Sequence, residues 1–341
     1  MAGAGARKLA AAAWAIAASV CATGLATAES INADRSQTER LERWQAARSG
    51  QLKLPLPGTP DTAKLMTRLT EAGLALGAPT LIRIFKAESE LEVWIKKDRS
   101  FTLFATYPVC YWSGSLGPKL REGDRQTPEG FYTVTEDLLH HGDRWRRSLD
   151  IGYPNIFDRV NGRSGSLILV HGGCDSSGCF AMTNAVNSEI YDLVAGALRG
   201  ASHVPIQVFP FRMTDANMLA SAASPWTQFW RDLKDGYDSF ERTRLPPQVS
   251  VCSKRYRVRD ASPFERELAG VELCEQDRDS IPDHLEQANR VPTKHAKAER
   301  QAPKCSLARA SCRKWAALRD RKLASRTVAG RVTASKRSAV R

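Results

Sequence analysis

No apolar run in this chain of 341 residues reaches the ~20 residues that a membrane-spanning helix requires. The longest, Leu9 to Val20, is about a dozen alanine-rich residues. Arg7 and Lys8 precede it, and Ala26-Thr27-Ala28 places small residues where a signal peptidase reads them. Residues 1–28 are therefore expected to be a cleaved secretory signal, with a mature chain from Glu29 exported to the periplasm or cell envelope; an uncleaved anchor is the alternative. Acidic residues are nearly missing from the other end. Residues 291–341 hold fifteen Lys or Arg against Glu299 and Asp320, which accounts for the whole formal net charge of +13. Residues 1–290 are then neutral overall, which removes electrostatic support for nucleic-acid binding. Large apolar residues are also scarce beyond about Asp277, so 259–341 reads as a basic, largely disordered tail. Such a tail suits contact with anionic envelope polymers or lipids, or no partner at all. No internal repeat is evident.

An even cysteine count is also missing. Of eight cysteines, Cys21 falls in the signal, and an odd number in an oxidising compartment leaves at least one thiol unpaired. Cys252–Cys274 and Cys305–Cys312 are plausible local bridges among four cysteines that allow three pairings. Cys110, which follows a strand, reads as a buried small apolar residue or a partner for Cys174.

The remaining sequence divides by pattern. Residues 29–79 read as a helical and linker segment: a polar helix-prone stretch around Arg40 to Arg48, a break at Pro55, Pro57, Gly58 and Pro60, then a short helix capped by Asp61 and ended by Gly73 or Gly77. Residues 80–258 read as a β-rich domain. Strand patterns cover 81–85, 91–95, 100–106, 131–135, 166–170 and 205–209, and 249–252 with 256–258 can add another. Helical spacing marks 184–198, and 214–240 reads as one or two helices with Trp226, Phe229, Trp230 and Leu233 as a packing stripe.

The chemistry concentrates in His171-Gly172-Gly173-Cys174-Asp-Ser-Ser177-Gly178-Cys179. An ordinary thiol is only a few per cent thiolate at neutral pH, and a neighbouring imidazole makes it a competent attacking group by taking its proton. Glycine beside the cysteine admits a substrate carbonyl and frees backbone amides for a developing oxyanion. Two other uses of the same residues stay open: zinc ligation by His171, Cys174 and Cys179, although no second ligand cluster stands out, and a Cys174–Cys179 disulfide that would staple the loop or reversibly block the thiol.

Gly123-Asp124-Arg-Gln-Thr127-Pro128-Glu129-Gly130-Phe-Tyr132, followed by His171-Gly…Ser-Gly-Cys179, resembles the YkuD-type L,D-transpeptidase catalytic domain over roughly residues 60–258. Ile82-Arg-Ile-Phe-Lys86, Leu91-Glu-Val-Trp94, Gly178-Cys-Phe-Ala-Met-Thr183 and Gly236-Tyr-Asp-Ser-Phe-Glu241 resemble its YafK-like branch. The resemblance implies an α+β, β-rich fold with peripheral helices, no cofactor or metal, and action on peptidoglycan stem peptides. Cys179 matches the family nucleophile and His171 its base. Amides around Gly178 and Cys179 would form the oxyanion hole, in a loop that also contains Ser177, Gly172 and Gly173. Gly123, Asp124, Thr127, Pro128 and Gly130 would support the site as a turn, and Cys174 is a candidate for redox regulation. Ser177 and Ala181 stand where the commoner family pattern has histidine and arginine. The alternatives to crosslinking are hydrolysis by the same site, as an L,D-carboxypeptidase or, as the branch implies, on the link between peptidoglycan and an envelope lipoprotein, and a non-catalytic wall-binding module that keeps the fold.

Overall fold

The computed structural model describes residues 33–142, 146–263 and 270–278. The expected signal, Cys305, Cys312 and the basic segment 291–341 lie outside the described residues.

Two five-stranded mixed sheets form the body. In the first, β1 (Thr80–Phe85), β2 (Glu90–Lys97) and β3 (Ser100–Pro108) form an antiparallel meander. The spatial order is β3-β2-β1-β10-β5, where β10 (Val204–Phe209) runs parallel to β1 and antiparallel to β5 (Gly130–Val134). All six residues of β1 are buried, as expected for a strand covered on both faces. Ile82 and Ile84 turn inward to the main core, while Phe85 packs on the opposite side.

The second sheet has the order β4-β9-β8-β7-β6, from β4 (Tyr111–Trp112), β6 (Leu139–His140), β7 (Ser148–Asp150), β8 (Leu169–Gly172) and β9 (Phe180–Met182). Between the sheets, Val93, Val208, Val170, Phe180 and Met182 share a core with Val186, Ile190 and Val194 of helix α4 (Asn184–Leu198). Each such aliphatic side chain, fully buried, contributes about 1.5–3 kcal/mol.

The far face of the first sheet is covered by α6 (Thr227–Thr243) and a small sheet of β11 (Gln248–Cys252), β12 (Arg255–Arg259) and β13 (Glu272–Leu273). Here Phe131 and Phe209 meet Trp230, Leu233 and Tyr256. Three short helices, α3 (Ile156–Val160), α5 (Asp215–Ala220) and α7 (Glu275–Arg278), complete this half. Secondary structure therefore continues past residue 258, with β13 beside β11 and Cys252 bonded to Cys274.

At the N-terminus, α1 (Ala33–Arg48) packs beside β4. Asp61 accepts from the Ala63 amide at the start of the turn leading into α2 (Leu65–Ala72), and Gly73 ends that helix at φ 64°. The strand expected at 166–170 lies about three residues later. Gly165 and Leu167 have φ values of 141° and 53°, outside strand geometry, so pairing begins at Leu169 and includes His171.

One buried ion pair joins these parts. Lys86 and Glu129 have no solvent exposure. Lys86 Nζ donates to Glu129 Oε1 at 2.8 Å and to the Gly117 and Thr127 carbonyls at 2.9 Å. Glu129 also accepts from the Gly117 amide at 2.7 Å and from Trp230 Nε1 at 2.8 Å. The stripe expected on α6 thus packs in the core and also reaches the Thr-Pro-Glu-Gly turn. Removing one partner of such a pair leaves an uncompensated buried charge, at about 3–5 kcal/mol. Lys86→Met should lower the unfolding free energy by that amount in urea titration, and Lys86→Met/Glu129→Gln should recover part of the loss. Equal losses in the two proteins would show that the unpaired carboxylate is not the cause.

Candidate active site

Strand parity separates core from site. On β8 and β9, parallel neighbours pair Val170 with Phe180 and His171 with Ala181. Val170, Phe180 and Met182 face the core, so alternation turns His171, Ala181 and the preceding Cys179 to the other side. There His171 and Cys179 line one open cleft of about 710 Å³, together with Gly172, Gly173 and Ser177. That volume lies within the range of small-molecule pockets. Cys179 is the one free thiol among the described residues.

Hydrogen bonding fixes the protonation pattern. Nδ1 of His171 lies 2.6 Å from the Gly172 carbonyl, an acceptor only, so Nδ1 must carry the proton and Nε2 is the basic nitrogen. Burial pushes the His171 pKa below its usual value, opposed by the Gly172 carbonyl and by Asp175. The ring is therefore neutral at neutral pH. Burial pushes the Cys179 thiol up, against the pull of the Leu169 amide. That amide donates to Sγ at 3.3 Å, while Sγ donates to the Leu167 carbonyl at 3.5 Å. The resting group is a thiol with a basic imidazole in the same cleft.

The loop's glycines have separate causes. A Cβ on Gly172 would lie 2.4 Å from Asn184 Oδ1 and 3.3 Å from Asn184 Cα, so the start of α4 can approach this closely only over glycine. Gly178 sits at φ 146°, where a side chain is strained. Its amide donates to Ser176 Oγ at 3.2 Å, and Ser176 Oγ donates to the Cys179 carbonyl at 2.8 Å. The Gly178 N–H expected in an oxyanion hole is thus engaged within the loop in this structure.

The upstream motif is brought against this loop. The Gln126 carbonyl lies 3.8 Å from the position a Gly178 Cβ would take. Asp124 accepts from the Leu120, Arg121 and Gln126 amides and from Lys119 Nζ at 2.6 Å. Thr127 Oγ1 accepts from the Ser113 amide. Gly123 and Gly130 have φ values of 74° and 146°, and Pro128 continues the turn into β5. The motif residues hold the loop's shape through bonds to one another and to Lys86 and Glu129.

Other contacts at the site carry no sequence signal. Trp44 of α1 donates from Nε1 to Asp175 Oδ1 at 2.6 Å and stacks on Tyr111, and Arg40 donates to the Gly114 carbonyl at 3.0 Å with its guanidinium over Trp112. A polar helix expected only as an N-terminal segment therefore touches both loops beside Cys179. Cys174 is bonded to Cys110, buried under Leu52 and Leu56, so the Cys174–Cys179 bridge is not formed and Cys110 takes the second of its two expected roles. The pairing follows from distance in the fold: Cys110 immediately precedes β4, which pairs with β9. Ala181 is fully buried between His171 and Tyr111, and Ser177 is exposed at the cleft.

Comparison with known proteins matches this geometry to a family. The model of the L,D-transpeptidase catalytic domain, YkuD, matches residues 79–208. YafK of Escherichia coli K12 is 44% identical over 200 residues, spanning 58% of this chain and 80% of that protein, and YafK of E. coli O157:H7 matches equally. Among solved structures, the helical cell shape determining protein Pgp2 of Campylobacter jejuni aligns with 52% of this chain and 68% of its own at 20% identity and a TM-score of 0.34, a likeness that carries no argument. With relatives this similar over most of their length, the chain belongs to the L,D-transpeptidase (YkuD) family.

Proposed function

We propose that this protein is an exported, cysteine-dependent acyltransferase of the cell envelope that acts on peptidoglycan stem peptides. One observation carries the reading: Cys179 and His171 face the same cleft from neighbouring parallel strands, with the imidazole neutral and its basic nitrogen fixed as Nε2. Nε2 takes the thiol proton as Sγ attacks the carbonyl of the stem's diamino-acid residue. The tetrahedral oxyanion is met by loop amides once the Ser176 hydroxyl releases the Gly178 N–H. The C–N bond then breaks, His171 returns the proton to the leaving amine, and a thioester remains on Cys179. An amine of a second stem attacks it to form a crosslink, or water attacks to release the acid. The open cleft favours hydrolysis as a second outcome, including release of a peptidoglycan-linked envelope lipoprotein.

Incubating the chain from residue 29 with muropeptides, alone and lipoprotein-linked, separates these outcomes by product mass. Dimers indicate transfer, shortened stems carboxypeptidase action, and freed lipoprotein hydrolysis of that link. Cys179→Ala should lose activity by at least a thousandfold, on the scale of other covalent catalysts; full activity in this variant would refute the mechanism.

The pKa directions give a second expectation. With the thiol raised and the imidazole lowered, kcat/KM should hold through neutral pH. It should fall on the acid side only below the ordinary histidine range, as Nε2 becomes protonated. Alkylation of Cys179 by iodoacetamide, followed on its peptide by mass spectrometry, should rise with pH around a midpoint above that of an ordinary thiol. A midpoint well below that would mean a preformed thiolate and a different role for His171.

A further inference from the structure

The cleft around Cys179 has a second wall, built from the base of the β6–β7 hairpin and the first turns of α4. Arg146 and Arg147 line it on the hairpin side, Asn184, Asn187 and Ser188 on the helix side. Arg147 is held in the left-handed region at φ 58°, a conformation that persists only where surrounding contacts determine it. The contacts are present. Its amide donates to the His140 carbonyl at 2.9 Å, and its carbonyl accepts from Asn187 Nδ2 at 2.7 Å. Its guanidinium donates to the Ser188 carbonyl at 2.9 Å, pairs with Asp192 at 2.6 Å, and lies over the Tyr191 ring. Arg147 therefore latches the hairpin to α4.

Arg146 is different. It is exposed at the same cleft, with no ion pair or hydrogen bond to the described residues. Three features of this cleft bear on the charge and hydrogen bonding of a ligand. The N-cap residue of α4, Thr183, makes no side-chain cap bond, so the positive end of a 15-residue helix opens beside Gly172 uncapped. Asp175, an acid at the same cleft, works against an anion, and its Oδ1 is tied toward α1 by the Trp44 Nε1–H. Asn187, only 4% exposed, has its amide orientation fixed because Nδ2 must face the Arg147 carbonyl, and Oδ1 then has no donor among the described residues, which calls for an N–H on the ligand. The wall thus combines a guanidinium and a buried acceptor that both lack a partner among the described residues. That pairing matches a carboxylate with an N–H close by, as in an amino-acid residue whose carboxylate is not in peptide linkage. On the opposite side Ala181 is buried and brings no charge to the cleft.

We infer that Arg146, presented by the Arg147–Asn187 latch, is a specificity-determining residue that selects stem peptides bearing a free carboxylate near the scissile bond. The inference rests on the proposed action on stem peptides. An ion pair with an exposed guanidinium is worth about two- to fivefold in affinity, and that margin would separate a free-acid stem from the same stem with the carboxylate amidated.

Calorimetric binding and product formation are measured in parallel, with the chain from residue 29 and synthetic stem peptides in free-acid and amidated forms. The wild type should bind the free acid about two- to fivefold more tightly. Arg146→Ala should bind both forms equally, and Arg146→Lys should retain part of the preference while losing the bidentate fit. A wild type that binds both forms alike, or an Arg146→Ala protein that keeps the full preference, would overturn the inference. Product formation is scored separately: a carboxylate preference that depends on Arg146, in a protein that forms no product from either stem, would support the anchor and remove the acyl-transfer reading alone.

Discussion

The buried contact between Lys86 and Glu129 fixes the position of almost everything near the cleft. Lys86 lies directly after β1, Glu129 directly before β5, and the carbonyls and amide they bind belong to the 113–129 segment. Trp230 adds α6 to the same carboxylate. A charge pair without solvent holds only when every remaining donor and acceptor is met, and here the segment that abuts Gly178 supplies those partners. The backbone of the upstream motif is therefore set from inside the protein.

Around that fixed segment, the two short parallel strands divide the work by parity. Val170 of β8 and Phe180 and Met182 of β9 join the core, while His171 between them opens to the cleft. His171 within β8 and Cys179 directly before β9 thus share the side that faces the cleft. The loop between the strands holds the nonstandard conformations, with Gly173, Cys174 and Gly178 all at positive φ.

Much of this was legible in the sequence. Alternating β-branched and aromatic runs marked the long strands of the first sheet, and the Asn184–Leu198 helix showed its apolar face directly. The His-Gly and Ser-Gly-Cys segments stood out because their residue types have a chemical reason to be adjacent. What escaped has a common physical character. Strands of two or three residues such as β4, β6 and β9 are too short to show a period, and they form because longer neighbours position them. Lys86, Trp44, Arg40 and Asn187 act through partners from 31 to 131 positions away, and no local pattern announces such contacts. Residue type even pointed the wrong way for Lys86 and Arg40, charged side chains that normally stay at the surface but are buried here.

The bond between Cys110 and Cys174 has a consequence for how the chain matures. Cys174 and Cys179 lie only five positions apart, and Cys110 is bonded to the first while the second stays free. One choice clamps the loop, and the other would consume the sulfur that the cleft exposes. Local sequence offers little to distinguish them; the difference arises when β4 lies against β9 and the N-terminal segment closes over Leu52 and Leu56. Packing as the chain folds therefore decides which sulfur is spent on the bridge and which is left in the cleft.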